Sequence, residues 1–95
     1  MVRGRLSPAT VAEAQLVHDG IASYGEAGAS ALGDVAHQVF LGVDDWHEFL
    51  AIDIWGDATN IEALYTDPAF AEAFTTLYEG TPTLQVYAST DWYQW

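Results

Sequence analysis

The stretch FLAIDIWGDATNIEALYTDPAF, residues 49–70, decides the fold. Its first half predicts a strand over Glu48–Trp55, because branched and aromatic residues follow one another without glycine or proline. Both faces of this strand are largely apolar: Leu50, Ile52 and Ile54 on one, Phe49, Ala51 and Trp55 on the other. A strand that is apolar on both faces is packed on both. We therefore expect helices to cover one face and a second subunit to cover the other.

Downstream of this strand the sequence predicts helices and one more strand. Thr59-x-x-Glu62 matches a capping box, in which the two side chains satisfy free N–H groups at a helix start. Asp67-Pro68 supplies an N-cap and a proline at the first helical position. We expect that second helix to end at Gly80 and a last strand to span Thr83–Ala88.

Upstream, alternating and helical patterns predict three elements. They are a short strand in Met1–Leu6, a helix that begins at Ser7-Pro8 and ends near Gly25, and a strand over Val35–Val43. The element order β-α-β-β-α-β, with two main helices, is that of the split βαβ motif. The predicted fold class is therefore α+β: a ferredoxin-like antiparallel sheet in one domain over residues 1–95.

Composition excludes several kinds of partner. The chain has 51% hydrophobic residues, no cysteine, and a formal net charge of −12. Only Arg3 and Arg5 could contact phosphates, so we expect neither a nucleic-acid partner nor an anionic membrane. No segment has the apolar run of a signal peptide or a membrane span, which favours a cytoplasmic location.

Three segments carry a resemblance to a known family. They are Gly33-Asp34-Val35-Ala36-His37, residues 49–70 quoted above, and the strand near Leu84–Tyr87. In these the chain resembles the antibiotic-biosynthesis-monooxygenase-like group of dimeric α+β barrels. The resemblance implies a homodimer and a cofactor-independent monooxygenase that acts on a small planar organic substrate. The haem-degrading branch places a histidine on the second helix, and Asp67–Glu79 has none, so no cofactor is expected.

Two residues are candidate catalytic groups. His18 falls in the apolar stripe of the first helix with Val11, Ala14, Val17, Ile21 and Tyr24, so it is expected to face the sheet. An imidazole titrates near neutral pH and suits a general base. Asp53 is a carboxylate in an apolar strand, so either it has an arginine, a histidine or a hydroxyl as its partner or it is exposed to a cavity. For both residues a purely structural role remains open.

Four further residues are candidate substrate contacts: His37, Trp55, Tyr65 and Phe70. Aromatic walls near a carboxylate suit a planar ligand, although each ring would serve equally well in a core. The histidines lack the spacings of known metal sites, so no metal is expected. The alternative to an enzyme is a homodimer without catalysis, either structural or binding a small hydrophobic or aromatic ligand.

Overall fold

Four strands form one antiparallel sheet in the order β2-β3-β1-β4. In the computed structural model, which describes residues 1–95, the strands are β1 (Val2–Leu6), β2 (Asp34–Leu41), β3 (Glu48–Trp55) and β4 (Tyr78–Leu84). The helices are α1 (Val11–Leu32), α2 (Ile61–Tyr65) and α3 (Pro68–Leu77), with a 3-10 turn at Ala58–Asn60. The predicted α+β class is confirmed, and the strand order is consistent with a ferredoxin-like fold.

Helix α1 begins later and ends later than its sequence pattern predicts. Thr10, and not Ser7, is its N-cap: the Thr10 hydroxyl accepts a hydrogen bond from the Glu13 N–H. The helix continues through Gly25, because the Phe70 ring of α3 occupies the space that a side chain at residue 25 would fill. It ends at Gly33, whose φ of 112° lies in the left-handed region that favours glycine.

The connection between β3 and α3 follows the sequence prediction in part. The predicted capping box does not form, since Asp57 caps the 3-10 turn and accepts hydrogen bonds from both the N–H and the hydroxyl of Thr59. The Asp67-Pro68 start of α3 is confirmed, because the Asp67 carboxylate accepts a hydrogen bond from the Ala69 N–H.

Strand β4 begins directly after α3, at Tyr78, and ends at Leu84, so it overlaps the predicted strand Thr83–Ala88 at only two residues. Tyr78 pairs with Leu6 and is buried in the core, which anchors the strand at this earlier position. Gly80 therefore lies inside β4 and does not stop the helix. Its φ of 73° coincides with a shift in the β1–β4 register, as in a β-bulge.

The core lies between the sheet and the helices. Its buried members are Val2, Leu6, Ala14, Phe49, Ala51, Leu77 and Tyr78. The opposite side of the sheet carries the alternate residues of the central strands and has no helix over it. We call this side the open face; its apolar members are Phe40, Leu50, Ile52 and Ile54. None of the helices combines the length and the apolar character needed to cross a membrane.

Candidate active site

A cavity of about 540 Å³ lies between the sheet and the three helices. Its volume is within the range of small-molecule sites, which runs from about 300 to 1,000 Å³. Most of its lining is apolar, and the polar groups are concentrated where β2, β3 and α1 approach one another. The cavity therefore combines an apolar wall with one polar corner.

The polar corner is centred on Asp53. His37 pairs with Asp53 across β2 and β3, and its Nδ1 lies 2.6 Å from Asp53 Oδ1. The Tyr65 hydroxyl of α2 donates a hydrogen bond of 3.2 Å to Asp53 Oδ2. Asp53 thus has a histidine and a hydroxyl as partners, two of the kinds that its place in an apolar strand predicts. Its side chain is only 7% exposed.

Hydrogen bonding to Asp53 changes the acidity of its neighbours. The bond to the Asp53 carboxylate raises the pKa of His37 above its usual value, against a smaller lowering by burial. Burial, together with the Asp53 charge, raises the pKa of the Tyr65 hydroxyl well beyond its usual range. At neutral pH Tyr65 is therefore a hydrogen-bond donor and not a base.

His18 extends this network from α1. Its Nε2 lies 3.0 Å from Nε2 of His37, and its Nδ1 lies 2.9 Å from Oδ1 of Asp19. The two imidazole rings are nearly parallel, at 10°. A chain of four groups results, Asp53–His37–His18–Asp19, and both histidines line the cavity.

The hydrogen-bonded series Asp53–His37–His18–Asp19 requires a defined number of protons. Its three contacts are all hydrogen bonds only if three protons lie between the four groups. Two neutral imidazoles carry two N–H protons between them, so the complete chain holds one additional proton and one positive charge. If that proton is lost, one contact has no hydrogen. With both Nδ1 atoms donating to the carboxylates, the His18–His37 contact is therefore a hydrogen bond only when one of the two imidazoles carries a second proton.

Asp34 stands beside this chain at the start of β2. Its Oδ1 accepts a hydrogen bond of 3.2 Å from the Ala36 N–H. Burial raises the pKa of the Asp34 carboxyl, and the nearby Asp53 charge raises it further. Two carboxylates thus share one corner of the cavity, and Asp53 is the one that is hydrogen-bonded to His37.

Aromatic rings form the wall that faces the polar corner. Phe70 and Phe74 of α3 meet edge to face with ring centroids 5.6 Å apart, and Tyr65 lies 6.2 Å from Phe74. Edge-to-face contact is a favoured arrangement of aromatic pairs. The Phe70 ring also packs on Gly25, which brings α3 close to α1. These rings give this side of the cavity an aromatic lining.

Five of the six predicted site residues line the cavity: His18, His37, Asp53, Tyr65 and Phe70. Trp55 is not in its lining, although it pairs with Asp34 at the end of β3. In α1, Tyr24 is 76% exposed and does not share the buried stripe predicted for it.

Sequence reasoning missed the contributions of Asp34 and Asp19. Asp34 follows Gly33 and has the signature of a turn, but it is the first residue of β2. Strict alternation would place Asp34 and His37, which are three residues apart, on opposite faces, and only the register shift between Asp34 and Ala36 brings them to the same side. The only sequence signal for Asp19 is its position directly after His18.

No group of three or more acidic or histidine side chains is arranged to hold a metal ion. No family model, curated protein or solved structure in the comparisons matches this chain. The resemblance to the monooxygenase-like group therefore stays a prediction.

Proposed function

We propose that this protein is an enzyme that removes a proton from a small planar organic substrate bound in the cavity. The observation that carries the proposal is the Asp53–His37–His18 chain, in which a carboxylate orients one of two adjacent imidazoles that line a largely apolar cavity. A positioned general base contributes about 10²–10⁴-fold to a reaction rate.

His37 is better placed than His18 to be the base. Asp53 is buried and holds the Nδ1–H of His37, which directs Nε2 away from the carboxylate and fixes the tautomer. The partner of His18 is Asp19, whose side chain is 59% exposed and orients the ring less firmly. We therefore assign the proton transfer to His37 Nε2, with His18 sharing the proton, which refines the sequence-based choice of His18.

The resemblance to the monooxygenase-like group implies a second step, in which the deprotonated substrate reacts with molecular oxygen. The base takes a proton from a CH₂ group that is acidified by neighbouring rings or carbonyls, and the electron pair stays on carbon. That carbanion reduces molecular oxygen and forms a carbon-bound peroxide. Loss of water then leaves a carbonyl, so that R₂CH₂ and O₂ give R₂C=O and H₂O. Tyr65, which remains a donor, would hydrogen-bond the developing negative charge.

We further propose that two chains pair through the open face as a dimeric α+β barrel. Phe40 is 47% exposed and Ile54 is 52% exposed on this face, beside the half-buried Leu50 and Ile52. Contiguous exposed apolar residues mark interaction sites. A second copy presents the same apolar residues, so a two-fold axis would bury both sets.

A non-catalytic binding role is the second candidate, and one observation favours it. All four ring nitrogens of His18 and His37 have partners within the protein. A chain so fully bonded could serve only to fix α1 on the sheet, with the cavity binding a ligand that does not react. Catalysis requires the 3.0 Å contact between the imidazoles to open.

Deuterium exchange distinguishes the two candidates without relying on oxygen. The probe is anthrone, a planar compound with an acidic CH₂, incubated without oxygen in D₂O. We expect the protein to accelerate deuterium uptake at that CH₂, measured by NMR. The His37→Gln variant should exchange about 10²–10⁴-fold more slowly than the wild type. In air, one O₂ should then be consumed for each anthrone oxidised.

His47→Gln is the matched control, because His47 bonds Asp45 and does not line the cavity. It should leave the exchange rate unchanged. Binding of anthrone without faster exchange would exclude proton abstraction from this probe class and support the binding role. Equal loss in both histidine variants would show that the effect is not specific to the cavity.

A further inference from the structure

The charges that line the cavity are unevenly distributed. The acidic members are Asp19, Glu26, Asp34 and Asp53. Neither arginine lines it, and Arg5 is paired with acidic side chains at the open face. Against four carboxylates, the basic side chains in the lining are the imidazoles of His18 and His37. The cavity therefore disfavours anions and attracts cations.

Two carboxylates in the cavity, Asp34 and Glu26, form no ion pair, and Asp34 is the one that lies beside Asp53. Asp53 uses one oxygen for His37 and the other for Tyr65. Asp34 accepts one backbone hydrogen bond and forms no ion pair. Partial burial and the neighbouring Asp53 both disfavour its charged form. A cation beside Asp34 would relieve both effects, since it replaces lost hydration and screens the second carboxylate.

The aromatic wall supplies the second half of a recognition site. Tyr65 connects the two halves, since its hydroxyl bonds Asp53 and its ring packs near Phe74. A planar ring can contact this wall, and a positive group attached to that ring is also attracted by aromatic faces. Together, the aromatic surface and the carboxylate favour a ligand that is both planar and positively charged.

We propose that the cavity binds planar aromatic compounds that carry a protonated amine, with the ammonium group on Asp34 and the ring against Tyr65, Phe70 and Phe74. This inference rests on the cavity being the ligand site of the proposed function, and it adds the charge of the ligand. An ammonium–carboxylate contact is a charge-assisted hydrogen bond, which is stronger than a neutral one.

Three phenols that differ only at the end of one side chain test the proposal. Tyramine is a cation at neutral pH, tyrosol is neutral and 4-hydroxyphenylacetate is an anion. Isothermal titration calorimetry of the full chain should give about tenfold tighter binding for tyramine than for tyrosol, and weaker binding still for the anion. The preference for tyramine should fall as salt is added, and this reading needs no variant.

Asp34→Asn should remove the preference, weakening tyramine about tenfold and leaving tyrosol unchanged. Asp44→Asn is the matched control, since it deletes one charge in the β2–β3 turn, outside the cavity lining, and it should preserve the preference. Equal affinity for tyramine and tyrosol, or a preference that survives Asp34→Asn, overturns the inference. Such a result together with anthrone exchange would leave the proposed function intact, whereas no binding and no exchange would overturn both.

Discussion

His37 Nδ1 lies 2.6 Å from Asp53 Oδ1, and the two residues are direct partners across β2 and β3. The side chains therefore meet because of the strand register, and the sheet itself sets their distance. Side chains of directly opposed residues lie on one face and are close enough to interact. A shift of one residue would move one of them to the open face. The site and the register of β2 on β3 are consequently coupled.

Asp53→Asn removes the negative charge of residue 53 and keeps a side chain of nearly the same size. The bond to Asp53 is the main cause that raises the pKa of His37, so this pKa should fall in the variant. We expect the free energy of unfolding to fall by about 1–3 kcal/mol, since a buried hydrogen-bonded carboxylate is lost. NMR titration of the imidazole measures the first effect and urea unfolding the second. An unchanged His37 pKa in a folded variant would contradict the assigned contact.

The His37–Asp53 pair should make stability depend on pH in a defined direction. The folded-state pKa of His37 is raised above 6.5, so the folded protein binds its proton more tightly than the unfolded chain does. The stabilisation is fully present below pH 6.5 and is lost as pH rises through the raised pKa. It should be at most about 1 kcal/mol, because the His37 side chain is 39% exposed and screened.

Urea unfolding of the wild type and of His37→Gln across this pH range measures the effect. The difference in free energy between them should shrink as pH rises. The same comparison with His47→Gln controls for loss of a histidine elsewhere. A difference between wild type and His37→Gln that grows with pH would have the wrong sign.

Sequence alone predicted the elements better than their ends. The apolar pattern of β3 and the Asp67-Pro68 start of α3 depend on local chemistry, and both are present as predicted. The sequence predicts a helix end near Gly25, since glycine is a poor helix former. Its actual role depends on Phe70, which is distant in sequence. The start of β4 likewise depends on the pairing of Tyr78 with Leu6.

Five of the six residues predicted from sequence line the cavity, but Asp19 and Asp34 were not predicted, and neither were the contacts between these side chains. Asp53 required a partner or exposure to a cavity because it is a carboxylate in an apolar strand, and His37 was a candidate by its chemistry. Their contact depends on the register of β2 on β3, which no local pattern specifies. Trp55 was a candidate because it lies two residues from Asp53 on the same face of the predicted strand, but it does not line the cavity.

Gly25→Ala should destabilise the contact between α1 and α3. A Cβ at residue 25 would overlap the Phe70 ring, and overpacking of this kind costs about 1–3 kcal/mol. The better helix propensity of alanine offsets up to about 1 kcal/mol of that cost. Gly28→Ala is the matched control on the same helix, because nothing lies within 4 Å of its Cβ position. Urea unfolding should show Gly28→Ala to be the more stable variant; the reverse order would contradict the packing of Phe70 on Gly25.

Phe40→Glu should abolish the proposed pairing of two chains through the open face. The substitution places a carboxylate opposite Leu50 and diagonal to Ile52, where pairing would bury two such charges beside apolar side chains. Sedimentation velocity should show a dimer for the wild type and a monomer for the variant.

Leu16→Glu is the control, because Leu16 is 76% exposed on α1 and lies on the other side of the sheet. It adds the same charge and should leave the dimer intact. A wild-type protein that sediments as a monomer at the highest concentrations tested would refute the dimeric barrel, and dissociation by Leu16→Glu alone would place the interface on α1.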